Sequence, residues 1–279
     1  MSLNYIIASS NNTLERREPF DKYCKYILQY HLQVLNKLLD TTTIVKQITI
    51  GCQMSDDYSG EYYNIQKQID EIRQKGIRVE QLQLPKEGIS YTQYVRCYEA
   101  FPEYDYYLLM EDDWVINIDS PRIPFDTFLV NLYEKTFSDK MGFLNCWSPK
   151  DGIFIPKKGK GGFYGHIHHS AIALGILSNA AFKAFINNVG NLNLLEQVSF
   201  SEYLVKGNVK IIDLPQLKIP TQILFWQTKE GVIKDYTEFK PFEAPFFVPI
   251  QFYYGKAVYV NMITKQKKTI LHPNNMFNQ

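Results

Sequence analysis

Short apolar runs alternate with stretches of helical period from the start of the chain. Tyr5–Ala8 reads as a strand closed by the polar turn Ser9-Ser10-Asn11-Asn12. Asp21 is placed to cap a helix reaching about Asp40, because Cys24, Ile27, Leu28, Leu32, Leu35, Leu38 and Leu39 keep near-helical spacing. Ile44–Gly51 predicts a second strand, followed by the acidic turn Asp56-Asp57-Tyr58-Ser59-Gly60. Residues 61–75 predict a helix that Gly76 stops, and Ile77–Leu84 a third strand. After a turn at Pro85–Ser90, a helix is expected from Ser90 to Phe101. Tyr106–Met110 is then an unbroken apolar run, the pattern of a strand covered on both faces.

Past Asp113 the alternation loosens. A helix is expected over Phe125–Phe137, strands over Met141–Cys146 and His168–Leu177, and a Ser178-capped helix to about Asn188. A further helix covers Leu195–Lys206, ended by Gly207, and a strand Val209–Leu214. Residues 149–165, rich in Gly, Lys and Pro, read as a loop. Pro215, Pro220, Pro241, Pro245 and Pro249 mark a different C-terminal character, with a hairpin expected around Lys265–Lys268. Strands alternating with helices predict an α/β fold with a mostly parallel sheet. Residues 1–215 form the expected core and 216–279 an extension packed on it.

Composition narrows the class. With 279 residues and 45% hydrophobic content the chain can bury a sizeable core, and disorder is excluded. Thirty basic against 29 acidic residues leave a net charge of +1, which argues against a nucleic-acid partner. The longest apolar stretches, such as Ala171–Leu177, are far below the roughly 18–20 residues a membrane span needs, and Tyr5–Ala8 is too short for a signal peptide. Cys24, Cys52, Cys97 and Cys146 lie apart without CxxC spacing, so a reduced, cytoplasmic protein is expected. Aromatic residues, at 15%, suit stacking on sugar rings, but compositional bias with packing in core strands is the favoured reading.

Candidate chemistry concentrates at one place. In Tyr106-Tyr107-Leu108-Leu109-Met110-Glu111-Asp112-Asp113-Trp114, three consecutive carboxylates follow a buried strand. Such acids repel and raise one another's pKa, a cost that a divalent cation removes; hard oxygen ligands suit Mg²⁺ or Mn²⁺. Ligands of open α/β sheets bind beyond the carboxyl ends of strands, where this cluster falls. Residues two apart in extended chain share a face, so Glu111 and Asp113 could share an ion while Asp112 points elsewhere. An exposed acidic turn is the plainer alternative. The histidines His166, His168, His169 and His272 are further ligand candidates or ordinary loop residues.

This arrangement resembles nucleotide-sugar-dependent glycosyltransferases of the GT-A (Rossmann-like) fold, whose DxD motif ends a comparable strand. Gly88, Arg96, Ala100 and Tyr104-Asp105-Tyr106-Tyr107 precede Glu111-Asp112-Asp113 much as in family 2-type enzymes, with Glu where the first Asp is usual. Ser170–Leu177 with its following helix is similar to the acceptor-side elements. Glu196-Gln197 stands where an ED-type motif would, with Gln replacing its Asp. The likeness spans roughly residues 4–214.

The resemblance implies transfer of a sugar from a nucleoside diphosphate sugar to an acceptor hydroxyl on a glycan or glycoconjugate, with Mn²⁺ or Mg²⁺ as cofactor. Asp113 is then the first metal ligand and Glu111 a second, with His168 or His272 able to complete the set. Ala8, Ser9, Asp56, Asp57, Arg96 and Asp112 become nucleotide-side residues. Glu196, then Glu202, is the expected base if configuration inverts. The lysine-bearing loop 157–160 reads as a lid over the diphosphate or as a solvated tract. Two alternatives stand beside this reading. A nucleotidyltransferase of similar scaffold is one, although the turn Ser9–Arg17 lacks its usual glycine. A non-catalytic carbohydrate-binding or assembly protein is the other.

Overall fold

The computed structural model describes residues 1–10, 27–53, 65–85, 90–112, 114–118, 120, 122–147, 172–195, 197–219, 246–249, 256–260 and 267–271. A seven-stranded sheet is built from β1 (Leu3–Ser10), β2 (Val45–Gln53), β3 (Arg78–Leu84), β4 (Tyr106–Glu111), β6 (Gly142–Trp147), β7 (Ile172–Ser178) and β8 (Lys210–Asp213). The strand order is β3-β2-β1-β4-β7-β6-β8, and only β7 runs against the others. Three helices flank one face: α1 (Ile27–Leu38), α2 (Gln66–Arg73) and α4 (Phe125–Thr136). The opposite face carries α3 (Ser90–Ala100), α5 (Asn179–Ile186) and α6 (Gln197–Lys206). The expected α/β architecture with a mostly parallel sheet is what forms.

Strand pleating divides the core. On β1, Tyr5 and Ile7 face α1 and α4, while Ile6 and Ala8 face α3; on β4, Leu108 and Met110 separate from Tyr107 and Leu109 in the same way. Leu28, Leu32, Leu35 and Leu38 form the inward stripe of α1, each burial worth about 1.5–3 kcal/mol. Among the described residues the aromatic side chains lie mainly inside: Tyr91, Tyr98, Tyr107, Phe143, Phe182, Phe185 and Phe200 pack between the sheet and α3, α5 and α6.

Boundaries follow the sequence with local differences. Ser178 caps α5 as expected, its Oγ accepting from the Ala181 N–H at 3.1 Å. The helix expected over 61–75 ends at Arg73, and Gly76 takes a positive φ of 78° just beyond it; residues 61–64 lie outside the described residues. Asp21, proposed to cap the first helix, also lies outside them. β2 continues to Gln53, two residues past its expected end. Leu195, expected to begin the α6 helix, is extended instead, and Leu192–Leu194 forms a 3-10 turn before it. β10 (Lys256–Val260) and β11 (Lys267–Leu271) pair antiparallel with Val260 opposite Lys267, so their connection falls earlier than the expected 265–268.

Two short strands escape any periodic signal. β5 (Trp114–Ile116) pairs antiparallel with β9 (Phe247–Pro249), and the Asn117 N–H donates to the Phe246 carbonyl at 2.8 Å. Phe246 and Phe247 are wholly buried on the α1–α4 side. This late segment therefore pins the chain directly after the acidic cluster.

Candidate functional site

The winding of the sheet reverses between β1 and β4. From β1 the chain steps outward through β2 and β3, then α3 carries it back across to β4 on the other side of β1. Carboxyl ends of strands at such a reversal open into a crevice, because the flanking helices leave in opposite directions. Ala8 pairs with Glu111 at this seam, placing Ser9 of β1 beside Asp112.

Pleating sends the first two carboxylates apart. Glu111 faces the α3 side, where Oγ of Ser90, the first residue of α3, donates to its Oε1 at 2.7 Å. Asp112 turns the other way, with only 2% of its surface exposed, and its Oδ2 accepts from Ser9 Oγ at 2.7 Å. The Asp112 N–H continues the β1–β4 ladder to the Ala8 carbonyl at 2.9 Å. Asp112 thus points away from Glu111, as alternation requires, yet it is buried and hydrogen-bonded rather than left in a solvated turn.

Behind Asp112 sits a polar chain in an apolar wall. His31 Nδ1 lies 3.1 Å from the Asp112 carbonyl oxygen, and His31 Nε2 lies 3.0 Å from the Tyr5 hydroxyl. A carbonyl only accepts, so Nδ1 carries the proton; the neutral ring's Nε2 then accepts from the Tyr5 O–H. Burial pushes the His31 pKa down to about 4, against the weaker upward pull of the Asp112 carbonyl, so the ring is neutral at pH 7. Burial likewise raises the Tyr5 phenol well above its ordinary value. The Tyr5 ring meets the His31 ring edge-on at a centroid distance of 5.8 Å.

Cys52, the β2 partner of Ser9, is also buried. Burial raises its pKa to about 12, partly offset by a hydrogen bond from Gln81 and reinforced by the nearby Asp112 charge. This thiol is a packing group, not a nucleophile. On the α3 side, Gln93 Nε2 donates to Gln53 Oε1 at 3.3 Å, and the buried Gln93 Oε1 has no partner among the described residues. Farther along the edge, Asn145 Nδ2 donates to Asp213 Oδ1 at 2.9 Å.

The other expected site residues are distributed unevenly. Ala8, Ser9, Glu111 and Asp112 come together at the seam. Arg96 pairs with Glu99 at 3.1 Å along α3, and Ser90, at the start of that helix, reaches Glu111. Glu202 is exposed midway along α6, whose Phe200 and Leu204 pack on the core. Asp113, Asp56, Asp57, Glu196, His166, His168, His169 and His272 lie outside the described residues. Among the described residues no group of three or more His, Cys, Asp or Glu side chains is arranged to hold a metal ion. His31, Tyr5 and Ser90 were not marked as site residues in the sequence. For His31 a signal existed: it falls three residues after Leu28 and four before Leu35, inside the buried stripe of α1.

No protein-family model matches the sequence, and no curated protein does. Solved structures of similar shape include S. aureus TarS, at 13% identity and a TM-score of 0.46 over 76% of this chain and 35% of that one. TarS 1–349 in complex with UDP-GlcNAc matches at 16% identity and 0.44, over 76% of this chain and 56% of that one. An apo UDP-glucose pyrophosphorylase matches at 15% identity and 0.43, over 76% and 90%. This chain spans about a third of the TarS chain and somewhat over half of its 1–349 fragment. At such identities and scores, no residue role passes from these proteins to this one.

Proposed function

We propose that this chain is a metal-dependent glycosyltransferase that moves a sugar from a nucleoside diphosphate sugar to an acceptor hydroxyl on a glycan or glycoconjugate. The observation that carries the reading is the buried Ser9–Asp112 bond at the β1/β4 reversal, with Glu111 directed to the other side of the same seam. A strand end built this way brings two carboxyl groups to the place where an α/β sheet binds its ligand.

Two adjacent carboxylates, followed in sequence by Asp113, are chemically suited to Mg²⁺ or Mn²⁺. Glu111 and Asp113 are the ligands assigned by this reading, and a bound cation would stabilise charge on the departing diphosphate. Ala8 and Ser9 would lie beside the nucleoside, with Asp56 or Asp57 and Arg96 as further nucleotide contacts. Glu196, then Glu202, is the candidate to deprotonate the acceptor hydroxyl. The His168 and His272 side chains are assigned as alternative third ligands. The free thiols of Cys52 and Cys97 suit a reducing, cytoplasmic setting.

Calorimetry with UDP and GDP, each with and without Mn²⁺, tests the reading, together with a screen for nucleoside diphosphate release from nucleotide sugars. Metal-enhanced binding that Asp113→Ala abolishes is expected. Release of pyrophosphate from a nucleoside triphosphate and a sugar phosphate would instead identify a nucleotidyltransferase. Glycan binding without nucleotide binding would make the protein a non-catalytic binder.

A further inference from the structure

The Asp112 peptide is held from two elements. Its N–H donates to the Ala8 carbonyl of β1, and its carbonyl accepts from His31 Nδ1 on the inward face of α1. We propose that His31, held in one tautomer by Tyr5, is a positioning residue that sets the Asp112 backbone and so presents its carboxylate at the donor site. This inference rests on the nucleotide reading above.

The geometry closes a loop. Tyr5 and Ser9 lie on the same face of β1, four residues apart. Tyr5 holds His31, His31 holds the Asp112 carbonyl, and Ser9 holds the Asp112 carboxylate. With main chain and side chain both fixed, the Asp112 carboxylate cannot rotate toward Glu111 without losing a buried bond. Partners of this kind, one shell behind the groups that meet a ligand, orient those groups.

The test compares the wild type with His31→Asn and His31→Phe. Asparagine keeps an N–H near the Nδ1 position, whereas phenylalanine keeps the ring and loses the donor; both lose the Tyr5 bond. Titration with UDP and GDP in the presence of Mn²⁺ is expected to show His31→Phe weakened about tenfold and His31→Asn within about threefold of wild type. Thermal midpoints of the two variants should fall together. In ¹⁵N spectra of the wild type, His31 should show the Nδ1–H neutral tautomer at pH 7. Equal affinity of His31→Phe and wild type overturns the positioning role, as does His31→Asn weakened as far as His31→Phe. So does a cationic or Nε2–H ring in the wild type, a measurement that needs no variant to fold. Wild-type protein that binds neither nucleotide overturns the donor-site reading, and the positioning role with it.

Discussion

Ser9 and Asp112 are joined by a 2.7 Å hydrogen bond across the seam where the sheet reverses its winding. Neither side chain meets bulk water to any extent. The bond therefore ties the strand that begins the fold to the acid that leaves the fourth strand, and its loss should be felt in stability as well as in binding.

Ser9→Ala removes the donor and leaves the Asp112 carboxylate buried with one partner fewer. A loss of about 1–3 kcal/mol is expected in urea unfolding at pH 7. Asp112→Asn retains an oxygen that can accept from Ser9, so it should cost less stability while weakening Mn²⁺-dependent UDP binding. A Ser9→Ala protein as stable as wild type would show that the hydroxyl is dispensable to the seam.

Folding stability should depend on pH through His31. Its pKa is lowered to about 4 by burial, while an unfolded chain takes up the proton near 6.5. The unfolded state therefore binds more protons between those values. The stability that His31 contributes is complete above about pH 6.5 and is lost as pH falls toward 4, by about 3 kcal/mol at most. The stability difference between wild type and His31→Asn should shrink from pH 7.5 to pH 4.5. A difference independent of pH would mean that folding leaves the pKa of His31 unchanged.

Gly175 of β7 packs directly against the Leu144 peptide of β6. A Cβ there would lie 2.0 Å from the Leu144 carbonyl oxygen and 3.0 Å from the Phe143 ring. Gly175→Ala must push the two strands apart, and a loss of about 3 kcal/mol or more is expected. Circular dichroism melts of the purified variant would measure it. An unchanged midpoint would contradict the strand spacing described here.

Glu111 and Ser90 tie the other side of the seam to the start of α3 at 2.7 Å. A double-mutant cycle with Glu111→Gln and Ser90→Ala should give a coupling of about 0.5–1.5 kcal/mol in stability. Under the proposed function Glu111→Gln also weakens Mn²⁺-dependent UDP binding, whereas Ser90→Ala has the smaller effect. Equal, small effects on binding would place the cation elsewhere.

Much of this was legible beforehand because it is local. The apolar stripe of α1, the unbroken Tyr106–Met110 run and the Ser178 cap each carry their signal within one or two turns of chain. β5 and β9 did not, since three residues are too few for a period and their pairing spans more than 130 positions of sequence. Ser90 reaches Glu111 from the start of α3; helical spacing shows which residues share a face, but not which end of the helix meets the acids.

By itself, the sequence determined the alternation of strands and helices, the two-sided burial of β4, and the crowding of three acids at its end. Those properties follow from side-chain polarity and the backbone periods of 2.0 and 3.6 residues. Tertiary structure alone decided that β4 lies beside β1, so that Ser9 and Asp112 meet although 103 residues separate them. It also decided that His31, inside the apolar stripe of α1, should end against the Asp112 carbonyl. Strand order and helix docking arise from long-range packing, and no local pattern in the chain encodes which buried polar atoms that packing will bring together.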